Sequence, residues 1–385
     1  MRAAACALVL LSGVNAFTAA SCPPAPQLGD PLPGLTPDEL VQFEQGREVF
    51  ERAFTPETGL GPLFNAEACG ECHEQPVVGA SGDEVELHVA AFHTDGCDLL
   101  TDKGGFVIQQ HATPALQAAL GIDREPTPSE ATGHASRSTP AIFGLGLLDA
   151  VPDREILARA DPEDRNHDGI SGRANRFLDG RVGRFGRKAF VPTLREFNLG
   201  AFAAEMGITT PEVSTEETIG GQPIPPGVDP VDEPEITEEE ANHADAFVRF
   251  LALPAHEPLD AEGERGRLIF GSIGCGGCHT PSLTTGASPV AALRFKRVEA
   301  YTDLLLHDMG AERADICLGL AEPSEFRTQP LAGLRFSTFF LHDGKAASIQ
   351  EAIELHGGEA AAARNRFRHL SPLRRAALLR FLASL

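Results

Sequence analysis

The chain has 385 residues, 42% of them hydrophobic and 23% charged, with 39 Gly and 29 Pro. This is ordinary globular composition, which excludes disorder and collagen, and at about 100 to 200 residues per domain the length suggests two domains. With 55 acidic against 32 basic residues the net charge is −23, which repels a phosphate backbone and argues against nucleic acid as a partner.

At the N-terminus Arg2 precedes the apolar run Ala3 to Val14, and Thr18-Ala19-Ala20-Ser21-Cys22 follows. This pattern predicts an export signal over residues 1–22, too short for a membrane span, and so a periplasmic or cell-envelope location. The small residues before Cys22 equally allow a lipoprotein signal, with Cys22 acylated and the chain tethered to the membrane. Ala19 then stands where such signals usually carry Leu.

Thr36-Pro37-Asp38-Glu39 predicts a capped helix that runs through Phe43 and the segment Gly46-Arg47-Glu48-Val49-Phe50. Next comes Cys69-Gly70-Glu71-Cys72-His73. Far downstream the same order recurs, with Gly266-Arg267-Leu268-Ile269-Phe270 ahead of Cys275-Gly276-Gly277-Cys278-His279. Both pentapeptides are C-x-x-C-H, the attachment pattern of c-type haem. Two thiols three positions apart reach the two vinyl groups of one porphyrin, and the adjacent His is delivered beneath the iron. A zinc site would not need that His, and a thioredoxin-like pair should open a helix after a strand.

Two amphipathic helices are predicted to close the units. One runs from Thr237 with Ala244, Phe247, Val248 and Leu251 on its apolar face. The other opens at Ser371-Pro372 and carries Leu378, Phe381, Leu382 and Leu385. A helix before the haem motif and a helix at the end is the layout of cytochrome c. The expected fold is therefore mainly α, with two cytochrome c-like domains. Residues 23–254 would hold haem 1 and a long insertion, and residues 255–385 haem 2. Pro254 marks the joint, and the Pro-, Gly- and acid-rich stretch 211–236 reads as an exposed loop.

Three features of the remainder bear on chemistry. Asp164, Asn166 and Asp168, followed by Gly169, have the alternating oxygens of a calcium loop, but the twelfth position is Asn175 rather than Glu, so an Asx-rich turn explains them equally. Cys97 and Cys317 either pair across the domains or stay buried thiols. The sixth ligand of each haem decides between electron relay and chemistry. Around Met206, His307 to Met309, His342 and His356 short polar motifs interrupt apolar runs, and spacing does not rank them.

At these residues the sequence resembles the di-haem oxidoreductase family, sometimes labelled thiol oxidoreductases. The resemblance lies in Asp168 to Gly172, Gly183 to Gly186, Tyr301 to Gly310, Leu341 to Gly344 and His356 to Ala360, and runs from about residue 40 to the end. More distantly the chain is similar to bacterial di-haem cytochrome c peroxidases. That resemblance implies His356 as distal ligand of the second haem, where peroxidases carry Met. It implies Glu205 as the distal-pocket acid of the first, moving a proton between the two oxygens of peroxide so that water leaves. Met206 and Met309 are then structural. Phe197 stands where a pocket Gln is expected and Ala201 where Pro is expected. Phe185 takes the place of a Trp between the haems, and Phe cannot carry a hole as Trp can. For the first haem, His88 and His111 are candidate sixth ligands, against an open distal side.

The resemblance and the motifs together imply an exported oxidoreductase with two covalently bound haem c groups. It would react with hydrogen peroxide or a similar oxidant at haem 1 and draw electrons through haem 2 from a donor such as a small cytochrome. The rival is a non-catalytic di-haem electron-transfer protein. Thiol oxidation ranks last, because attachment of both haems leaves no free C-x-x-C pair.

Overall fold

Thr36 Oγ1 accepts from Glu39 N at 3.2 Å while Glu39 returns the contact to Thr36 N at 2.7 Å. Thr237 and Glu240 repeat the exchange at 3.0 and 3.2 Å. Each box satisfies N–H groups that the first turn of a helix leaves without partners. Helices Pro37–Glu51 and Glu238–Phe250 begin there, and Asp260 and Ser371 cap helices Ala261–Ser272 and Pro372–Leu382. The computed structural model describes residues 25–94 and 96–385, so the expected signal and Cys22 lie outside the described residues.

These four helices cross in two pairs, and both crossings are made at glycine. A Cβ on Gly46 would strike the His243 carbonyl oxygen and sit 2.9 Å from Phe247 Cβ; a Cβ on Gly266 would strike the Ala377 carbonyl oxygen and sit 2.8 Å from Phe381 Cβ. One turn on, Phe50 meets Phe247 with ring centroids 4.9 Å apart, and Phe270 meets Phe381 at 5.5 Å. The repeated G-R-x-x-F is thus a crossing device. Glycine lets two backbones touch, and the Phe that follows fills the adjoining space beside the next histidine, Phe50 at 6.0 Å from His73 and Phe270 at 6.5 Å from His279.

The first helix pair belongs to a large core that also takes in Leu283, Leu293, Leu304 and Leu305 from beyond residue 255. A smaller core surrounds the second pair and contains Phe270, Tyr301, Phe367 and Phe381. Helices predominate, as expected, but residues 85–138 also form a four-stranded antiparallel sheet. Its long strand, Val85–His93, pairs with Gly133–Ser138 and with the short strands Gly96–Asp98 and Val107–Ile108. The alternation Val85-Glu86-Leu87-His88-Val89 is the period-two signal for it. The stretch 211–236 contains no helix or extended strand, yet it is not simply exposed. Ile219, Val228 and Ile236 are buried and pin it to the body.

Of the two readings for the leftover cysteines, pairing holds. Cys97 and Cys317 form a disulfide with Cα atoms 6.0 Å apart, tying the sheet to a segment 220 residues away. No described helix is long and apolar enough to cross a membrane.

The crossing geometry makes a direct prediction. Gly266→Ala forces the helices apart and lowers stability by about 1–3 kcal/mol, the usual cost of overpacking. Gly271→Ala on the same helix meets no atom within 4 Å and leaves stability unchanged or raised by about 0.5–1 kcal/mol. Thermal unfolding of both variants checks this, and equal melting temperatures would contradict it.

Candidate functional site

After an extended Ala68, Cys69–Cys72 forms a single helical turn that presents both thiols on one side, with His73 at its end. His73 Nδ1 donates to the Ala80 carbonyl at 3.2 Å. Burial lowers its pKa, so the ring stays neutral with the Nε2 lone pair free for a metal. Both cysteines are free thiols. Burial pushes Cys69 up to about 12, with the Glu205 charge adding to it, and burial together with Glu84 and Glu205 raises Cys72 as well.

That shared influence puts Glu205 at this first site. It lies near the end of helix Leu194–Met206, where Phe197, Ala201 and Glu205 recur every fourth residue on one face. Glu205 Oε2 accepts from Asn65 Nδ2 at 2.8 Å, and Asn65 Oδ1 accepts from Gln110 N at 3.0 Å. The backbone is stitched to the same place, for Asn65 N and Ala66 N donate to the Glu205 carbonyl at 2.6 and 3.2 Å. Burial, and then repulsion from Glu86, raises the Glu205 carboxyl well above the ordinary carboxylate range, although the Asn65 hydrogen bond opposes this. Asn65 escaped the sequence reading, because a lone Asn carries no motif.

The proposed sixth ligands of the first site differ in their surroundings. His88 is buried with Nε2 at 2.7 Å from Glu86 Oε2, so that nitrogen is already engaged. His111 is exposed, its ring 5.5 Å from Phe64. Met206 is buried in an apolar cluster with Leu199 and Phe202, the structural role the resemblance implied. Phe185 lies in the large core, 6.2 Å from Phe197.

The second site repeats the first. His279 Nδ1 donates to the Tyr301 carbonyl at 3.0 Å, and burial lowers its pKa to about 4. Tyr301 holds that carbonyl at φ 53°, a conformation that residues with side chains seldom adopt. Cys275, Cys278 and His279 border a cavity of about 360 Å³ with apolar walls from Leu331, Leu334, Ile349 and Ile353. His356 borders it too, just beyond helix Ile349–Glu354, with Nδ1 donating to the Ala352 carbonyl at 2.7 Å. His279 and His356 thus line the same cavity. Met309 also lines this cavity.

Beside Cys278 the conserved-looking motifs of the resemblance converge. His307 lies between Asp303 Oδ2 at 2.9 Å and Glu359 Oε2 at 2.8 Å, and Glu359 also accepts from Ser171 N and Oγ at 3.0 and 2.7 Å. Burial alone would lower the His307 pKa, but Asp303, Cys278 and Glu359 outweigh it and push it up to about 12, leaving a doubly protonated ring. A Cβ on Gly172 would approach His307 Cε1 to 2.7 Å, which accounts for the glycine in that motif.

The loop expected to bind calcium uses its oxygens locally. Asp164 Oδ1 accepts from Asp168 N at 3.0 Å, and Asp168 Oδ1 from Ile170 N at 2.9 Å. Asn166 donates to Asp168 at 3.0 Å. Asn175 is buried and its amide donates to the Lys188 and Leu318 carbonyls at 2.7 and 2.9 Å. Among the described residues, the carboxylates that do converge are those of Glu216, Asp229, Glu233 and Glu235, with ligand atoms within 4.8 Å of one another.

Each C-x-x-C-H site thus offers two thiols and an imidazole with Nε2 available, and the second adds an apolar cavity with a further imidazole. This donor set fits a haem.

No curated protein sequence matches the chain. Solved structures similar to it include hydrazine synthase from Kuenenia stuttgartiensis, at 13% identity and TM-score 0.39, covering 98% of this chain and 100% of that one. A MauG-like protein associated with microbial copper homeostasis is 16% identical with TM-score 0.41, covering 96% and 95% of the two chains. The diheme peroxidase BthA from Burkholderia thailandensis is 16% identical with TM-score 0.42, covering 90% and 86%. The family described as "Di-haem oxidoreductase, putative peroxidase" matches residues 131–385. That match begins later than residue 40, where the resemblance was expected to start, and leaves Cys69 to His73 outside it. With this match over most of its length, the chain belongs to the di-haem oxidoreductase family, and it is a peroxidase-like oxidoreductase with two haem cofactors.

Proposed function

We propose that the chain is an exported enzyme of two cytochrome c-like units that reduces hydrogen peroxide or a similar oxidant at the Cys69–His73 site, with electrons entering through the Cys275–His279 site. The observation that carries this reading is the Glu205 carboxyl, held by Asn65 at 2.8 Å and lying within electrostatic reach of Cys69 and Cys72. When bound, the haems supply one-electron transfer and a coordination position for the oxidant. The overall balance is H2O2 + 2 e⁻ + 2 H⁺ → 2 H2O.

The chain's own residues do the rest. Cys69, Cys72, Cys275 and Cys278 would hold the two haems through thioethers, His73 and His279 would each ligate an iron, and His356 would supply a second imidazole at the Cys275–His279 site. Glu205 takes a proton from the oxygen of peroxide that binds and delivers one to the oxygen that leaves, a task suited to a carboxyl whose pKa lies nearer neutrality than usual. Asn65 Nδ2 fixes the direction of that carboxyl. Phe197, two turns away on the same face, supplies no hydrogen bond, so proton handling rests on Glu205.

The Cys97–Cys317 disulfide supports an oxidising compartment such as the periplasm or cell envelope. The net charge of −23 favours a basic electron donor such as a small cytochrome.

Glu205→Gln keeps the size and the acceptor for Asn65 but cannot carry the proton, and it slows reaction with hydrogen peroxide by about 10² to 10⁴. Stopped-flow measurement at equal haem content checks this, and an unchanged rate would remove the residue from the mechanism. The same variant tests the carboxyl's environment. Because the folded-state pKa is raised, the stability it contributes is complete below the ordinary carboxylate range and is lost as pH rises towards the folded value. Gln does not incur that loss. The melting temperature of the variant relative to the wild type therefore climbs as pH rises above the ordinary carboxylate range, and a constant difference would contradict the raised pKa.

Spin state separates the enzyme from the electron carrier. EPR of the oxidised protein should show one high-spin ferric haem and one low-spin haem. Two low-spin signals would favour relay without chemistry.

A further inference from the structure

Charged side chains in the protein interior almost always have a counter-charge, because an uncompensated buried ion costs several kcal/mol. Most buried cations here obey this. Arg137 pairs with Asp315 at 3.1 Å, Lys188 with the same carboxylate at 2.8 Å, and Arg249 with Asp149 and Asp245 at 2.6 and 2.7 Å.

Arg187 and Arg327 do not. Arg187 donates to the Ser138 carbonyl at 2.7 Å and to Gln329 Oε1 at 3.3 Å. Arg327 donates to the Arg184 carbonyl at 2.9 Å and to the same Gln329 oxygen at 2.9 Å, and its buried Nε has no partner. Neither guanidinium reaches a carboxylate in an ion pair among the described residues, in a chain with 55 acidic groups. Both side chains line the cavity that holds Cys278, His279 and His356. Burial, and then repulsion between neighbouring guanidinium groups, lowers Arg187 to about 10 and Arg327 to about 9. Two forks bridged by one glutamine oxygen and facing an interior space have the geometry of a carboxylate receptor.

The geometry points to Arg187 and Arg327 as a clamp for the propionate carboxylates of the haem in the second site. This rests on the haem reading given above. Arg313, Arg364 and Arg366 also line the cavity, but Arg313 is engaged by Asp343 and Arg366 by the Ile273 carbonyl, and only Arg187 and Arg327 share one glutamine oxygen. A porphyrin joined to Cys275 and Cys278 through its vinyl groups would still carry two carboxylates that need a counter-charge.

The test uses the matured protein with two haems confirmed by mass. Arg187→Gln and Arg327→Gln each remove a positive charge that opposes the ferric state. Each lowers the midpoint potential of the low-spin haem, shifting its ferric-to-ferrous balance about tenfold, or about 59 mV for one electron. Each also moves the propionate bending band of that haem in the resonance Raman spectrum. Arg187→Lys and Arg327→Lys restore the potential but not the band, because a point charge replaces the fork. They also serve if the Gln variants fail to fold. Unchanged potential and band in the Gln variants, or an unmoved band in the Lys variants, would overturn the clamp. Titrating the wild type with sodium acetate separates a free carboxylate from the propionate. No movement of the potential is expected, and a saturable shift would assign the pair to a free anion and refute the proposal. Protein that lacks the second haem altogether fails at the earlier step and overturns the haem reading beneath the clamp.

Discussion

An imidazole presents Nε2 to a metal in a fixed direction only when Nδ1 has a partner of its own and the ring remains neutral. His73, His279 and His356 all meet both conditions, through the carbonyls of Ala80, Tyr301 and Ala352 and through burial that disfavours the imidazolium. His307 shows the opposite case. Two carboxylates take both of its nitrogens and hold it charged. The fold thus sorts chemically identical side chains into neutral rings anchored at Nδ1 and a structural cation engaged at both nitrogens.

The helix crossings place these rings. At Gly46 and Gly266 the backbones touch, and the Phe residues one turn later wall in the proximal histidines. The two crossings use residues at equal intervals, Gly46 with His243 and Phe50 with Phe247, then Gly266 with Ala377 and Phe270 with Phe381. The surroundings of the two sites nevertheless differ. One is organised around an acid with a raised pKa and the other around a second imidazole and a pair of unpaired guanidinium groups.

The four main helices could be read from the chain because their signals are local. Capping boxes, apolar spacing and the C-x-x-C-H pentapeptides each lie within a few residues. The sheet was missed although Val85 to Val89 alternates plainly, because short strands between haem motifs compete with the expectation of helices. Glu205 and His356 were reached only by resemblance, and their surroundings explain why. Asn65 lies 140 residues from Glu205 in the chain, and Ser171 lies 188 from Glu359. Such pairings carry no local pattern. In the acidic loop at Asp164, which the sequence left open between a calcium site and an Asx-rich turn, the carboxylates accept from backbone N–H groups of their own turn.

The disulfide between Cys97 and Cys317 poses a sorting problem for maturation. Four other thiols lie among the described residues, and six cysteines allow 15 pairings. In the folded chain those four are shielded by the burial that raises their pKa, to about 12 for Cys69 and Cys275. A thiol that rarely ionises is a poor attacker of disulfides. The burial around the two C-x-x-C-H turns therefore also keeps their sulfurs from being scrambled into cystine.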